Sequence, residues 1–384
     1  MKSIRSIVFF IISQDYFQLT PLWKPQILLK QIYTFLITAR FGTLRSKPFD
    51  LLVAAYLMLS LSLSALQLIN YSILTSQFPL MELLKAQYPL FMSFSIFIIY
   101  GRKGELSTDL FIKTLFVLVG INILLNVLLF VSGMEEALAA SYDIFEFSFN
   151  QNIVVFFIFF QASQILLSED PAKRRRHILL LISALVLINI PNFQRMRFMI
   201  ILLILVFIYF KQASLKIKLV FPFLFAGGLA ILFSTGKFAS ILEAVVSRED
   251  AVDASLAGRF LEIQQILTTD FNPLYGFGFL NARTKEFFFG DAYFHPNDTG
   301  LFGVYFNGGY MGLIMFLMLI IISIRELVRF RKAIPDPDIT PARMAIRNAA
   351  VLMIIFILVN GLVSASFFYE PMYLISYIFL VRRF

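Results

Sequence analysis

The sequence predicts an all-α, polytopic integral membrane protein: a bundle of about ten transmembrane helices with one long extracytoplasmic loop containing an amphipathic helix. Composition is the first indication. Hydrophobic residues make up 59% of the chain and charged residues 15%, which leaves too little polar surface to cover a soluble globule of 384 residues. The second indication is a series of apolar segments of near membrane length, and the third is an uneven distribution of basic residues between alternate connections.

The apolar segments define the organisation of the chain, since roughly 20 apolar residues cross a bilayer. We predict a cytoplasmic and interfacial segment over 1–49, seven transmembrane helices over 50–235, a long outer loop over 236–299 and three further helices over 300–384. The expected spans lie near residues 50–75, 79–100, 110–131, 150–168, 177–192, 197–211, 216–235, 300–323, 344–366 and 369–381.

The basic residues indicate the orientation of these spans. If both termini are cytoplasmic, the successive inner segments carry 7, 2, 4, 3, 6 and 2 Lys and Arg, which is 24 of the 33 in the chain. The outer segment GMEEALAASYDIFEFSFNQ carries none. Because cytoplasmic loops of membrane proteins are enriched in Lys and Arg, this pattern places the 236–299 loop outside the membrane.

Composition also excludes several classes of site. The chain has no cysteine and only two histidines, so disulfides, thiolate catalysis, Cys-ligated metals and His-rich metal sites are all excluded. The net charge of +9 does not indicate a nucleic-acid partner, because Lys and Arg occur in short clusters between apolar runs. Such clusters are expected to face anionic lipid headgroups, which makes membrane lipid the expected partner.

Arginines on the outer face run against this charge bias and are candidate functional residues. Arg195 and Arg197 begin an expected span, while Arg259 lies near the start of an amphipathic loop helix that Asn272 and Pro273 end. Arginine binds phosphate oxygens through two parallel hydrogen bonds. The alternatives are anchoring of the first two side chains in the headgroup layer and pairing of Arg259 with Glu262 at i+3.

Two further features follow in the same loop. Gly276 and Gly278 in GFGF lack the third glycine and the strand of a nucleotide-binding motif, so they predict a tight turn that lets the chain approach something closely. His295 in FHPND precedes the next span, and Asp298 is near enough to orient it. A histidine there can act as a general base near neutral pH.

The order of these elements resembles the O-antigen polymerase and ligase superfamily. The resemblance covers roughly 191–322 in detail. The chain departs from the family pattern because the usual small residue before the first arginine is absent. Either Arg195 or Arg197 can therefore correspond to the first arginine of the pattern. The resemblance rests on the segments QRMRFMIILL, AGRFLEIQQIL, NPLYGFGF, FHPNDTGLF and YFNGGYMGLIMF.

The resemblance implies a metal-independent glycosyltransferase without a cofactor, at the outer face of the cytoplasmic (inner) membrane. Its donor and acceptor would be polyprenyl-diphosphate-linked oligosaccharides, with a chain-length regulator protein as a further partner. Arg259, with Arg195 or Arg197, would hold the diphosphate, His295 would take the proton of the acceptor hydroxyl, and Asp298, Gly276 and Gly278 would support them.

We therefore expect a polymerase of O-antigen, capsule or exopolysaccharide repeat units. A ligase that transfers finished glycan to lipid A core is the nearest alternative, because it would use the same arginines and histidine. A transporter is the alternative from another class, since Asn122, Asn126 and Lys113 lie within expected spans. No internal repeat of the kind found in transporters is evident in the sequence.

The cysteine-free chain makes the expected topology directly testable with single cysteines. Thr284→Cys and Asp291→Cys should react with a membrane-impermeant maleimide applied to intact spheroplasts, because both residues lie in the outer loop. Ala172→Cys and Ala333→Cys should react only after the membrane is permeabilised. Labelling of the second pair in intact spheroplasts would overturn this topology.

Overall fold

A computed structural model describes only part of the chain, and within that part all regular secondary structure is helical, with no strand. The all-α prediction is therefore confirmed for these residues. Arg259, His295 and Asp298 lie outside them. The described residues are 32, 36, 48–75, 108–131, 151–187, 195–212, 261–278, 299–332, 339–361, 376 and 379.

The described helices coincide with apolar segments of the sequence. A further short helix over 261–268 is named the loop helix here. Of the other expected spans, those near 79–100 and 216–235 lie outside the described residues, and only 376 and 379 of the last one are described. The longer helices are α1 (Pro48–Thr75), α2 (Thr108–Val131), α3 (Gln151–Leu167), α4 (Pro171–Leu187), α5 (Arg195–Gln212), α6 (Leu301–Lys332) and α7 (Pro341–Gly361).

Helix α3 lies at the centre of the described bundle. Every side chain from Asn152 to Ser163 is buried, as expected for a helix that is apolar on all sides. It packs most extensively against α7 and α4, and also contacts α2 and α5. Phe156 meets Phe111 of α2 edge to face, with ring centroids 5.4 Å apart, and such aromatic pairs fix the mutual orientation of neighbouring helices.

A tight connection joins α3 to α4. The main-chain N–H of Ala172 donates to a carboxylate oxygen of Asp170 at 2.9 Å, and Pro171 occupies the first helical position, where proline is favoured. Arg174 also donates to the main-chain oxygen of Ser168 at 2.7 Å. These contacts start α4 six residues earlier than its apolar segment at 177. The basic run over 173–176 is consequently helical.

Two described helices are long and apolar enough to cross a membrane: Leu301–Arg329 within α6, and α7. Shorter apolar helices occupy Asn152–Leu167 and Ile200–Tyr209. One face of α6 also presents apolar side chains at helical spacing that other described elements leave exposed. These residues are Ile314, Leu317, Ile321, Ile324 and Val328.

One polar contact crosses between α3 and α4 near the tight connection. The Nδ1–H of His177 donates to Oε1 of Gln161 at 2.7 Å. Gln161 is fully buried, and within the described part of the chain its Nε2 has no hydrogen-bond partner. The histidine therefore satisfies half of a buried amide that would otherwise lack both partners.

This contact predicts a specific stability effect. His177→Ala should lower the free energy of unfolding in detergent by about 1–3 kcal/mol, because it leaves a buried amide oxygen unpaired. In the Gln161→Leu background the same change should cost clearly less, since no polar group is then stranded. Leu179→Ala, at an exposed position of the same helix, is the control. Equal losses from His177→Ala in both backgrounds would show that the contact does not stabilise the bundle.

Candidate functional site

The candidate site is a joint between the turn that follows the loop helix and a break in α6. The turn begins at Asn272, whose side-chain oxygen accepts the main-chain N–H of Leu274 at 2.9 Å. The main-chain oxygen of Asn272 accepts the N–H of Gly276, also at 2.9 Å. Pro273 restricts the backbone between Asn272 and Leu274. The chain therefore reverses direction here, as expected for an Asn-Pro turn.

Helix α6 is interrupted close to its first residues. Gly309 has φ 58° and ψ −156°, which is not helical, although helical structure continues on both sides. In an unbroken helix, Tyr310 would donate its N–H to the carbonyl of Phe306, and Met311 would donate to that of Asn307. The conformation of Gly309 opens both of these positions.

The turn supplies donors for the two opened carbonyls. The N–H of Phe277 donates to the oxygen of Phe306 at 2.7 Å, and the N–H of Gly278 donates to the oxygen of Asn307 at 3.0 Å. Each carbonyl thus accepts a hydrogen bond from the turn in place of one from its own helix.

The turn also supplies acceptors for the two opened N–H groups. Tyr310 donates to the main-chain oxygen of Pro273 at 2.8 Å, and Met311 donates to that of Leu274 at 3.0 Å. Four hydrogen bonds between the turn and α6 therefore pair these two carbonyls and two N–H groups. Since a main-chain group without a partner is costly in an apolar environment, the turn completes the helix at the point where it breaks.

Only glycine fits at the centre of this joint. A Cβ on Gly276, whose φ is +78°, would lie 2.5 Å from the nitrogen of Gly309 and 2.6 Å from that of Gly308. A Cβ on Gly309 would lie 2.6 Å from both the nitrogen of Gly276 and the oxygen of Pro273. The obstructing atoms belong to the main chain, so no change of rotamer can relieve the overlap. The close approach expected from the GFGF segment is therefore an approach to α6.

A small apolar cluster connects the joint to the loop helix. Ile266 of the loop helix, Phe277 of the turn and Phe306 of α6 are buried together, with Phe271 and Tyr305 packed against them. The rings of Phe277 and Phe306 are stacked, with centroids 5.2 Å apart. This cluster fixes the end of the loop helix to α6 through side chains, in addition to the main-chain hydrogen bonds.

The sequence-predicted site residues divide into those that the structure describes and those that it does not. Gly276 and Gly278 lie in the joint, and both have positive φ. The main chain of Arg195 and Arg197 forms the start of α5, but their side chains lie outside the described residues, as do Arg259, His295 and Asp298. The predicted roles of these five residues remain predictions.

Sequence reasoning did not identify Gly309 and Phe306 as partners of the GFGF turn. The available signal was the pair Gly308-Gly309 within an apolar segment of membrane length, since glycine is unfavourable inside a helix unless backbone must bend or approach closely. This signal does not specify which segment of the chain approaches Gly308 and Gly309. The GFGF turn is about 30 residues away along the chain, and another loop could fit in the same place.

The described residues contain no group of three or more His, Asp and Glu side chains able to hold a metal ion.

No family model, no curated protein and no solved structure matches the chain. What the joint itself provides is mechanical: four main-chain hydrogen bonds and an aromatic stack that fix a loop to a helix of membrane length.

Proposed function

We propose that this protein is a multi-pass enzyme of the cytoplasmic membrane that joins polyprenyl-diphosphate-linked oligosaccharide repeat units into a polysaccharide. The observation that carries the proposal is the joint between the turn over 272–278 and the break at Gly309. It supports the proposal because it ties a segment of the long loop to a helix long enough to cross a membrane.

The position of the break is consistent with chemistry at the outer surface. Gly309 is the ninth of the 32 residues of α6, so it lies in the first third of that helix. The charge distribution of the sequence predicts that this beginning lies at the outer face. Irregular backbone at that depth is tolerated where protein covers it, and here the turn provides the cover.

The proposed reaction assigns roles to residues of the loop that the joint ties to α6. Departure of a lipid diphosphate develops negative charge, which Arg259 together with Arg195 or Arg197 would stabilise through paired hydrogen bonds. His295 would take the proton from the attacking sugar hydroxyl, oriented by Asp298.

A transporter is the second candidate, because broken helices also form the substrate sites of secondary transporters. One observation favours the enzyme over it. In transporters the opened main-chain groups bind ions or substrate near mid-membrane, whereas here Phe306 and Asn307 accept hydrogen bonds from the turn. A ligase would share the joint and differ only in its acceptor. Transfer of glycan to a lipid A core acceptor added to the assay would identify a ligase.

The role of Arg259 can be tested with purified protein and synthetic polyprenyl-diphosphate repeat units, following product length on a gel. Arg259→Lys keeps the charge but loses the planar pair of donors, so it should be nearly as inactive as Arg259→Ala. Both variants should insert in the membrane and unfold like the parent protein. Full polymer production by Arg259→Lys would reduce this residue to a general cation or an anchor.

The role of His295 can be tested in the same assay. His295→Ala should leave the repeat units unpolymerised, with a loss of about 10²–10⁴-fold in turnover, because donor binding survives and acceptor activation does not. His177→Ala is the control for removing a histidine elsewhere. Because His177 contacts buried Gln161 and its loss lowers stability, the activity of the His177→Ala variant is compared per folded molecule. Polymerisation by His295→Ala at the parent rate would remove the base from this mechanism.

A further inference from the structure

The joint is a fixed point between the two segments that carry the proposed reaction. Arg259 lies two residues before the first described residue of the loop helix, and His295 lies four residues before Thr299, where description of the chain resumes ahead of α6. An extended chain spans at most about 3.5 Å per residue, so these tethers are at most about 7 Å and 14 Å long. Short lengths of chain therefore connect Arg259 to the loop helix and His295 to the beginning of α6, the two elements that the joint holds together.

The strength of the joint depends on its two central glycines. Each one has a positive φ, and each occupies the space in which a side chain of the other would lie. If either carried a Cβ, the turn would have to move away from α6, and the main-chain hydrogen bonds on both sides would lengthen together. The aromatic stack of Phe277 on Phe306 lies next to these bonds and would be displaced with them.

We infer that Gly276 and Gly309 are positioning residues of the transfer site: they hold the turn on α6 and thereby set the relative placement of the donor-binding and acceptor-activating segments. This inference rests on the proposed function. It adds that the docked arrangement is the one in which transfer occurs, so the turn remains on α6 during turnover.

Docking itself can be measured without substrate. Met311 donates its main-chain N–H to the oxygen of Leu274, and both side chains are substantially exposed, at 37% and 56%. In the cysteine-free chain, Leu274→Cys with Met311→Cys should be linked rapidly by a short bifunctional methanethiosulfonate reagent. Leu274→Cys with Ile324→Cys, further along α6, should not be linked. Equal linkage of the two pairs would show that the turn is not held on α6.

Adding Gly309→Ala or Gly276→Ala to the first cysteine pair should slow linkage by about tenfold or more, since strain at a single backbone position shifts an equilibrium by that order. Gly120→Ala is the matched control, because a Cβ at Gly120 in α2 has no atom within 4 Å. It should leave linkage unchanged. Unchanged linkage in the Gly309→Ala and Gly276→Ala variants would overturn the structural part of the inference.

Activity of the linked protein then tests the role in transfer. The linked Leu274→Cys/Met311→Cys protein should polymerise repeat units at the rate of its reduced form. Gly309→Ala should be slow when reduced and recover when linked, because the link restores the placement that the substitution disturbs. A linked protein that is inactive and recovers on reduction would show that the turn must leave α6, and the inference would be wrong.

The outcome for the proposed function is separate. If the parent protein transfers no glycan to any acceptor while linkage at the joint still depends on Gly309, the proposed reaction fails and the role in transfer fails with it, whereas the docked turn stands. If the parent protein polymerises and Gly309→Ala does so at the same rate, the proposed function stands and the positioning role fails.

Discussion

The exchange of main-chain hydrogen bonds at Gly309 is the interaction on which the beginning of α6 and the turn docked on it depend. A helix of membrane length cannot leave two carbonyls and two N–H groups open in an apolar environment, where each unpaired group costs about 1–3 kcal/mol. The turn over 272–278 supplies partners for all four. The break and the docked turn therefore form one unit. If they separated, the main-chain groups of both would need water as their hydrogen-bond partner.

Helix α6 connects this joint to the bundle. Val304 and Phe316, which lie on either side of the break, belong to the main apolar core around α3, whereas Phe306 belongs to the small cluster with Ile266 and Phe277. The same helix thus packs on the bundle with some residues and holds the loop with others. Because packed interiors resist deformation and α6 contributes to both clusters, a disturbance of the joint would reach the core through α6.

If the protein catalyses the proposed transfer, docking of the turn on α6 gives part of the loop a fixed position before substrate binds. Transfer from a lipid diphosphate requires cations at the leaving group and a base at the acceptor to be held in place together. In a long loop, the backbone entropy opposes such placement, at about 1–2 kcal/mol for each residue fixed. Docking of the turn fixes its own residues through contacts that are independent of substrate, as the hydrogen bonds to Phe306 and Asn307 show.

The sequence by itself determined that the described chain is helical and where most helices lie, because apolar segments of membrane length such as 341–361 permit few other structures. It also indicated a tight glycine turn at 276–278. Only the tertiary structure decided that this turn meets Gly309 and that His177 contacts Gln161. The physical reason is that helix formation follows from local composition, whereas a backbone contact between distant glycines depends on how the helices pack, which no local pattern specifies.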